Sequence, residues 1–388
     1  MILLIGSALL IRTFIALYSV DRGFETKNVV TMRMSMTGPK YLRSAGLADT
    51  VRNGLERIRS LPGVAAASAT CCVPLQGGYG LPFNIIGRPP TDGPFTGGGG
   101  WVTVSPGYFE VFKIPVKRGR VFTERDDSTS PPVAIINEAM AKQYWKDSDP
   151  LKDRILIGGH GLMKEFKDEP VRQIIGIVGD VHDRGLNNDP VATMYIPQAQ
   201  ETDAANALNV GIAPMSWIVR TAAAPRGLIP PIQDQLRQAT GLPVSDVHTM
   251  DEVVSLSTAR QRFNMLLMAV FGGAALLLAA IGIYGLMAYS VEQRTQEIGI
   301  RLALGAEASD VRNMIVRQGM LLALAGIVIG LAATFGLTRF IESFLFGVRA
   351  HDPTVFILVP VVLIAVALFA VWLPAGRASR VNPVDSLR

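Results

Sequence analysis

Residues 263–290 read FNMLLMAVFGGAALLLAAIGIYGLMAYS and contain no Asp, Glu, Lys or Arg. A helix of this length exceeds the roughly 20 apolar residues that cross the hydrocarbon core of a bilayer. Two further apolar runs, residues 314–346 and 354–373, follow in the last third of the chain, and Pro360 predicts a kink in the second. Burial in a soluble core is the alternative, but three such runs favour membrane-spanning helices.

The short segments between these runs differ in basic residues, and this difference predicts how the chain is oriented in the membrane. The loop between the last two runs carries Arg349 alone, whereas the connector 291–313 and the C-terminal tail carry Arg294, Arg301, Arg312, Arg377, Arg380 and Arg388. Lys and Arg in short loops mark the cytoplasmic side. We therefore expect the connector and the tail inside the cell, and the region immediately before residue 263 outside the cytoplasm.

The N-terminal residues 1–20 are apolar except for Arg12. A signal peptide would begin with a basic region, which this segment lacks. A complete span would carry a costly arginine in its interior. We interpret residues 1–20 as the outer end of a first transmembrane helix whose inner part is missing, with Arg12 reaching outward to the membrane surface. On this interpretation the chain is a fragment or starts at a late initiation codon.

Residues 21–262 form the large region outside the cytoplasm, and their short strand and helix patterns are typical of an α+β domain. The pattern predicts strands at residues 29–36, 64–72, 81–87, 133–136, 171–181, 193–196, 217–221 and 244–248, and helices at residues 46–61, 137–145, 229–240 and 251–262, the last continuing into the membrane. The four glycines at 97–100 predict a flexible loop, and residues 126–206 an inserted second lobe. The predicted fold is a membrane α-helical bundle of four helices, the first truncated, plus an α+β extracytoplasmic domain in two lobes.

Catalytic and nucleotide-binding patterns are absent from the sequence. No G-x-x-x-x-G-K-[ST] loop occurs, no serine lies in a G-x-S-x-G elbow, and the four histidines have no metal-ligand spacing. The segment Asp180–Asp183 predicts a solvated turn after a strand. The net charge of +5 comes from Lys and Arg scattered among acidic residues, which disfavours nucleic acid as a partner. We expect no cofactor, no metal and no catalytic residue, so an enzyme anchored in the membrane is the weakest of the functional hypotheses.

Three smaller features predict local structure. Cys71 and Cys72 lie in the region placed outside, where thiols oxidise, but adjacent cysteines do not readily pair with each other, so buried thiols are expected. The pattern Gly326-Ile-Val-Ile-Gly330 permits close helix packing. Arg339 and Glu342 are three residues apart and predict an ion pair at the outer end of a span.

Several motifs resemble one family. The segment Glu297-Ile-Gly-Ile-Arg-Leu-Ala-Leu-Gly-Ala306 resembles the signature after the second transmembrane helix of MacB-type, FtsX-like ABC transporter permeases. Residues 337–353 are similar to the third helix and outer turn of that family, and residues 21–29 to the entry into its extracytoplasmic domain. Residues 373–383, LPAGRASRVNP, resemble its closing motif, with Gly376 where the family commonly has Arg. The chain is most similar to the C-terminal half of a permease with a duplicated unit.

The resemblance implies a permease of the inner membrane that works as a pair and transmits ATP-driven motion to its extracytoplasmic domain. The implied partners are a cytoplasmic ABC ATPase, a second permease unit (a second copy or the missing N-terminal half), membrane lipid and a periplasmic adaptor. The implied ATPase-coupling residues are Glu297, Arg301, Ala303, Leu304 and Gly305. Export or efflux of a substrate is the expected function. The alternative is an FtsX-like transmembrane scaffold that activates an outer cell-wall hydrolase.

Overall fold

The structure, a computed structural model, describes residues 1–90, 93–158, 166–212, 214–304, 306–337 and 351–378. The chain divides into an extracytoplasmic unit, Asp21–Thr258, and a helical unit, Met1–Val20 with Ala259–Arg388. The described helices are α1 (Ile2–Tyr18), α2 (Ser44–Arg59), α3 (Tyr108–Phe112), α4 (Glu138–Tyr144), α5 (Asp203–Ile212), α6 (Ile229–Thr240), α7 (Met250–Ser257), α8 (Ala259–Gln293), α9 (Thr295–Ala303), α10 (Ala308–Leu337) and α11 (Pro353–Ala378). The described strands are β1 (Val29–Met34), β2 (Val64–Thr70), β3 (Tyr79–Ile85), β4 (Gly97–Val104), β5 (Val116–Gly119), β6 (Val133–Asn137), β7 (Arg154–Ile157), β8 (Val171–Val178), β9 (Thr193–Pro197), β10 (Met215–Thr221) and β11 (Ser245–Thr249).

The strands of the extracytoplasmic unit belong to one sheet in the order β11-β1-β10-β2-β4-β3-β7-β8-β6-β9, with β5 beside β8. Strand β4 also pairs with β9 in parallel, so β4, β3, β7, β8, β6 and β9 close into a ring. Strands β2 and β4 are joined through a single registered pair, Thr70 with Val104. The sheet therefore has an open part, from β11 to β2, and a ring-shaped part, each with its own apolar core.

The open part is covered by α2 and α6, and we call its interior the α2 core. Its residues include Met32, Leu47, Val51, Leu55, Ile58, Trp217, Ile232 and Leu236. Leu47, Val51, Leu55 and Ile58 recur at helical spacing and line one face of α2, as the sequence predicted. Gly54 lies on the same helix, where an added Cβ would be 2.4 Å from the Trp217 ring. The glycine therefore allows the helix to approach the sheet closely.

The ring-shaped part encloses a second apolar cluster, which we call the β8 core. It includes Phe83, Trp101, Ile136, Ile155, Ile174, Met194 and Ala205. A third cluster lies around α3 and includes Phe24, Val104, Phe112, Val178, Ile218 and Met250. Aromatic residues of this third cluster pack edge to face, as in the contact between Phe24 and Phe112 with ring centroids 5.7 Å apart. The segments with alternating strand and helix patterns therefore fold into an α+β domain, as predicted.

The predicted flexible loop at residues 97–100 is wrong, because these glycines begin strand β4. They pair with β3, and Gly100 pairs in parallel with Thr193 of β9. An added Cβ on Gly99 would be 2.8 Å from the Ala192 carbonyl oxygen, and one on Gly97 would be 2.4 Å from the Tyr144 ring. Glycine is used here because two backbones and a ring approach the strand closely.

The prediction of buried thiols at Cys71 and Cys72 is also wrong, because the two residues form a disulfide with each other. The Cα atoms lie 3.8 Å apart. The bridge lies just after β2, at the point where Thr103 N–H of β4 donates to Cys71 Sγ. The expectation that neighbouring cysteines do not readily pair, because the intervening peptide strains the ring, does not hold for this pair.

Within its described residues, the helical unit contains three helices long and apolar enough to cross a membrane, α8, α10 and α11, and the shorter apolar α1. Ser7 of α1 donates to the Met268 carbonyl oxygen of α8 at 2.6 Å. An added Cβ on Gly272 would be 2.7 Å from Ser7 Oγ, so the glycine permits this close packing. Further along α1, Arg12 Nη1 lies 2.5 Å from Asp352 Oδ1. The predicted combination of membrane helices with an α+β domain is confirmed.

The predicted continuous helix from residue 251 into the membrane is interrupted at Thr258, which separates α7 from α8. Thr249 caps α7 by accepting from Glu252 N–H, and the Glu252 carboxylate accepts in turn from Thr249 N–H. This capping box fixes where α7 begins. Helix α8 has 35 residues, about 52 Å at 1.5 Å per residue, and therefore exceeds the roughly 30 Å hydrocarbon core.

Candidate coupling surface on the connector helix

Helix α9 occupies the connector between the first two long spans, and one of its faces is anchored in the helical unit. Ile298 is only 3% exposed. It belongs to an apolar cluster with Met287 of α8, Val311 and Ile315 of α10, and Val371 and Ala375 of α11. Because Ile298 contacts a cluster drawn from all three long helices, displacement of α9 would act on each of them.

Glu297 and Arg301 lie one helical turn apart on α9 and pair with each other. Arg301 Nη2 is 2.6 Å from Glu297 Oε1, and Arg301 Nη1 donates to Met314 Sδ of α10 at 2.8 Å. Both side chains are about half exposed. Pairs of this kind stabilise a surface helix by about 0.3–0.5 kcal/mol. The arrangement holds α9 to α10 while leaving both charged groups at the surface.

The opposite side of the connector exposes apolar side chains. Leu304, immediately after α9, is 83% exposed, and Ile300, four residues earlier, is 44% exposed. Residues four apart are neighbours on a helix surface, so the two form one apolar patch. Ala303 is the last residue of α9; its side chain and the whole of Gly305 lie outside the described residues. The coupling roles of these residues remain predictions.

The glycines predicted to assist helix packing lie on α10. An added Cβ on Gly330 would be 2.7 Å from Met1 Cβ, whereas one on Gly326 would have nothing within 4 Å. Gly326 instead lines an apolar cavity of about 260 Å³ between α8, α10 and α11. The role of both glycines in helix packing remains a prediction. Arg339 and Glu342, the predicted outer ion pair, lie outside the described residues.

The extracytoplasmic unit contains a buried arginine that sequence analysis missed. The Arg220 side chain of β10 donates to the carbonyl oxygens of Val111 at 2.6 Å, Lys27 at 2.8 Å and Glu25 at 3.1 Å. Burial lowers the pKa of Arg220, and the nearby Glu25 carboxylate opposes that shift. Thr26 in the same segment donates to Asp251 of α7 at 2.6 Å. The chain segment that follows α1 is therefore fixed both to the sheet and to the helix that precedes α8.

The segment Asp180–Asp183 is a turn after β8 and lines a polar cleft of about 390 Å³ together with residues 21–25. Asp180 accepts from Ala139 N–H at 2.7 Å, and His182 Nδ1 lies 2.8 Å from the Asn188 carbonyl oxygen. Burial raises the pKa of Asp183. Within the described ranges, no group of three or more His, Cys, Asp or Glu side chains could hold a metal ion. The segment therefore forms the predicted turn, but it is partly buried instead of solvated.

Two family models together match most of the chain. The model described as MacB-like periplasmic core domain matches residues 3–239, and the model described as FtsX-like permease C-terminal matches residues 269–383. These matches place a periplasmic-type domain and a membrane permease domain in one polypeptide. Together with the three apolar helices, they identify a multi-pass protein of the inner membrane with its large domain outside the cytoplasm.

The relatives include proteins named ATP-binding/permease proteins and one named an ABC transporter permease. The macrolide export ATP-binding/permease protein MacB of Chromobacterium violaceum is 33% identical over 146 residues, covering 36% of this chain and 22% of the relative. MacB 2 of Aeromonas hydrophila is 24% identical, covering 75% of this chain and 43% of the relative. The uncharacterized ABC transporter permease YknZ of Bacillus subtilis is 24% identical, covering 74% of this chain and 68% of the relative. The chain thus spans less than half the length of both MacB relatives.

Among solved structures, the periplasmic region of MacB from Actinobacillus actinomycetemcomitans is similar at 15% identity with a TM-score of 0.40, covering 61% of this chain and 95% of that one. The periplasmic core model alone covers more than half of the chain, and the permease model covers most of the remainder. The chain therefore belongs to the MacB-like, FtsX-like family of ABC transporter permeases.

Proposed function

We propose that this chain is a permease subunit that couples ATP hydrolysis by a cytoplasmic ATPase to movement of its extracytoplasmic domain. The observation that carries the proposal is the two-sided structure of α9. Ile298 is buried among residues of the long helices, while Ile300 and Leu304 form an exposed apolar patch. An exposed patch on an anchored helix suits a docking element, because contact with a partner is transferred directly to the spans.

The side of the membrane on which α9 lies also supports the proposal. Segment 291–313 carries Arg294, Arg301 and Arg312, which favours the cytoplasmic side. Helix α8 connects the extracytoplasmic domain to this segment without a break from Ala259 to Gln293. A continuous helix of about 52 Å is a direct mechanical connection between the docking patch and the chain outside.

The proposal assigns ATP hydrolysis to a separate subunit or chain segment, because the sequence lacks a phosphate-binding loop. Relatives named ATP-binding/permease proteins support such a partner. The long helices expose many apolar side chains, among them Leu278 on α8 and Ile329 on α10. In a membrane these faces would contact lipid and a second permease unit, which we propose as the remaining partners.

More specifically, we propose that the movement of the extracytoplasmic domain drives export of a substrate. Relatives named for macrolide export support this proposal. The FtsX-like scaffold that activates an outer hydrolase uses the same coupling step. The two functions differ only in what the extracytoplasmic domain acts on. They are therefore distinguished by substrate efflux from cells or vesicles, as opposed to stimulation of a cell-wall hydrolase by ATP.

The test of the coupling surface is Leu304→Asp in the full chain, reconstituted in lipid nanodiscs with its cognate ATPase. Leu304 is largely exposed, so the variant should fold normally. Loss of a central apolar contact of an interface costs about 2 kcal/mol, and we therefore expect the ATPase to bind roughly 10- to 30-fold more weakly. Stimulation of ATP hydrolysis should fall in parallel.

The matched control is Leu256→Asp on α7, since Leu256 is 63% exposed but lies in the extracytoplasmic unit. This variant should retain both ATPase binding and stimulation. Equal affinities for wild type, Leu304→Asp and Leu256→Asp would show that the ATPase docks elsewhere. Weaker binding by both variants would point to a general effect of the added charge and would remove the support that α9 gives to the proposal.

A further inference from the structure

A buried charge network lies at the start of α5, next to the β8 core. The side chains of Glu169 and Arg172 are fully buried, and Arg172 Nη2 lies 2.8 Å from Glu169 Oε2. The same nitrogen donates to the Gln200 carbonyl oxygen at 3.0 Å. Thr202 donates to the other Glu169 oxygen at 2.8 Å. Glu201, also buried, accepts from the Asn209 side-chain amide, whose oxygen accepts in turn from the Tyr79 hydroxyl.

The network contains two carboxyl groups and one guanidinium. If both Glu169 and Glu201 were charged, Arg172 would balance only one of them, and the surplus negative charge would lie in a region closed to water. An uncompensated buried charge is costly, and the group usually binds a proton instead. Burial raises the pKa of Glu201 to about 8; the hydrogen bond from Asn209 opposes this shift, and the charge of Glu169 adds to it.

Helix α5 connects the two apolar cores of the extracytoplasmic unit. Ala205 belongs to the β8 core and Leu208 packs against it, whereas Val210 packs against the α2 core. Polar contacts hold the helix from the other side: Asp203 accepts from Ser44 N–H at 2.8 Å, and Asn206 donates to the Tyr41 carbonyl oxygen at 2.8 Å. The network around Glu201 therefore lies in the joint between the ring-shaped and the open parts of the sheet.

We propose that α5 is a proton-dependent latch between the α2 core and the β8 core. The latch is closed while the buried Glu201 carboxyl group holds a proton, and it loosens when Glu201 becomes charged. It operates outside the cytoplasm, where the protein experiences the pH of its surroundings. This regulation goes beyond energy coupling through α9 and holds whichever partner α9 binds.

The charged and titratable groups that face Glu201 come from several elements. Tyr79 belongs to β3, Arg172 to β8, and Glu169 to the segment just before β8. Asp203 lies on α5 itself, and its carboxylate accepts a hydrogen bond from Ser44 N–H. Among the described residues, Arg172 is the cation within this network. Its Nε and Nη1 atoms are buried without a hydrogen-bond partner, and its single positive charge is paired with Glu169.

The sign of the pH dependence follows from the raised pKa. A carboxyl group that titrates near 8 in the closed state and near 4.5 in the open state binds its proton more tightly when the latch is closed. The contribution to closure is complete below about pH 4.5 and is lost as the pH rises towards 8. Between these limits the equilibrium constant for opening increases by up to about tenfold per pH unit.

Hydrogen exchange of the full chain in nanodiscs, followed by mass spectrometry between pH 5.5 and 8.5, tests the latch. Protection factors corrected for intrinsic exchange should fall for the α5 amides as the pH rises, by up to about tenfold per unit. Protection in α6 should stay constant. Glu201→Gln retains an acceptor for Asn209 but cannot ionise, so its α5 protection should be independent of pH.

A second variant keeps the proposal testable if Glu201→Gln does not fold. Glu169→Gln leaves Glu201 as the sole carboxylate beside Arg172, which should lower the pKa of Glu201 and reduce the loss of α5 protection with pH. The latch is refuted if wild-type α5 shows constant protection. It is also refuted if the wild-type slope persists in both variants, because the proton would then bind elsewhere.

Discussion

Arg220 provides a quantitative test of how the extracytoplasmic domain is held to the chain that follows α1. Its three hydrogen bonds bind carbonyl oxygens of α3 and of the segment Glu25–Lys27. Arg220→Met keeps a side chain of similar length and removes all the donors. The carbonyl oxygen of Val111 is buried, whereas those of Lys27 and Glu25 are only partly buried and can recover water.

The expected loss follows from these contacts. A hydrogen bond from a charged donor contributes about 1.5–3 kcal/mol when its acceptor is left buried and unpaired. We assign about 2 kcal/mol to the Val111 bond, and roughly 0.5–1 kcal/mol to each of the two bonds whose acceptors can be rehydrated. The free energy of unfolding of the extracytoplasmic unit should therefore fall by about 3–4 kcal/mol.

Urea unfolding of the full chain in detergent measures this loss through tryptophan fluorescence, since Trp217 lies three residues from Arg220 on β10. With a slope of about 3 kcal/mol per molar urea for a domain of this size, the midpoint should fall by about 1 M. Arg237→Met is the control, because Arg237 is exposed and lies 3.9 Å from Asp234; its midpoint should change by less than about 0.2 M. A shift for Arg220→Met as small as that of the control would refute the reasoning.

Two further predictions concern packing and acid stability. Gly54→Ala should destabilise the extracytoplasmic unit by about 1–2 kcal/mol despite the better helix propensity of alanine, because the new Cβ would meet the Trp217 ring. The control is Gly211→Ala, whose added Cβ has nothing within 4 Å; it should be neutral or stabilising in the same urea measurement. Equal effects of the two variants would contradict the packing argument. Burial alone would raise the pKa of Asp126, but hydrogen bonds from Arg120 and from Thr123 N–H outweigh it and lower the pKa below 3.8. The stabilisation from ionised Asp126 is therefore present above about pH 4 and lost as the pH falls through the lower, folded-state pKa. Asp126→Asn should lower the free energy of unfolding by about 1 kcal/mol at pH 7 and reduce its dependence on pH in acid. Unfolding measurements at pH 2–7 that show the same pH dependence for the variant and the wild type would contradict the role given to Asp126.

Local sequence patterns were sufficient for the features that depend on local physics. The apolar length of residues 263–290 identifies a span because a bilayer demands about 20 apolar residues in a row. The spacing of Leu47, Val51, Leu55 and Ile58 predicts the buried face of α2 because a helix repeats every 3.6 residues. Asn137 ends a strand and caps α4, as its hydrogen bond from Met140 N–H confirms. The motif from Glu297 to Ala306 indicates a coupling element in the connector.

Other features depended on neighbours distant in sequence. The glycines at 97–100 form a strand because Ala192 and Tyr144 approach them from other parts of the chain, and local glycine content alone predicts a loop. On α9, the resemblance of the motif implies coupling roles for Glu297 and Arg301, but the distinction between the anchored Ile298 and the exposed Ile300 depends on the packing of α8, α10 and α11.

Consecutive residues are enough to predict the class of the protein, its membrane helices and its family, because apolar run length, helical periodicity and motifs are local properties. Which polar groups are buried depends on contacts between distant parts of the chain. Arg220, Glu169 and Glu201 look like ordinary surface charges in the sequence, yet chain folding places each among residues up to 195 positions away. Burial and charge balance arise from such distant contacts, and these set the pKa of Glu201 and the joint that α5 forms.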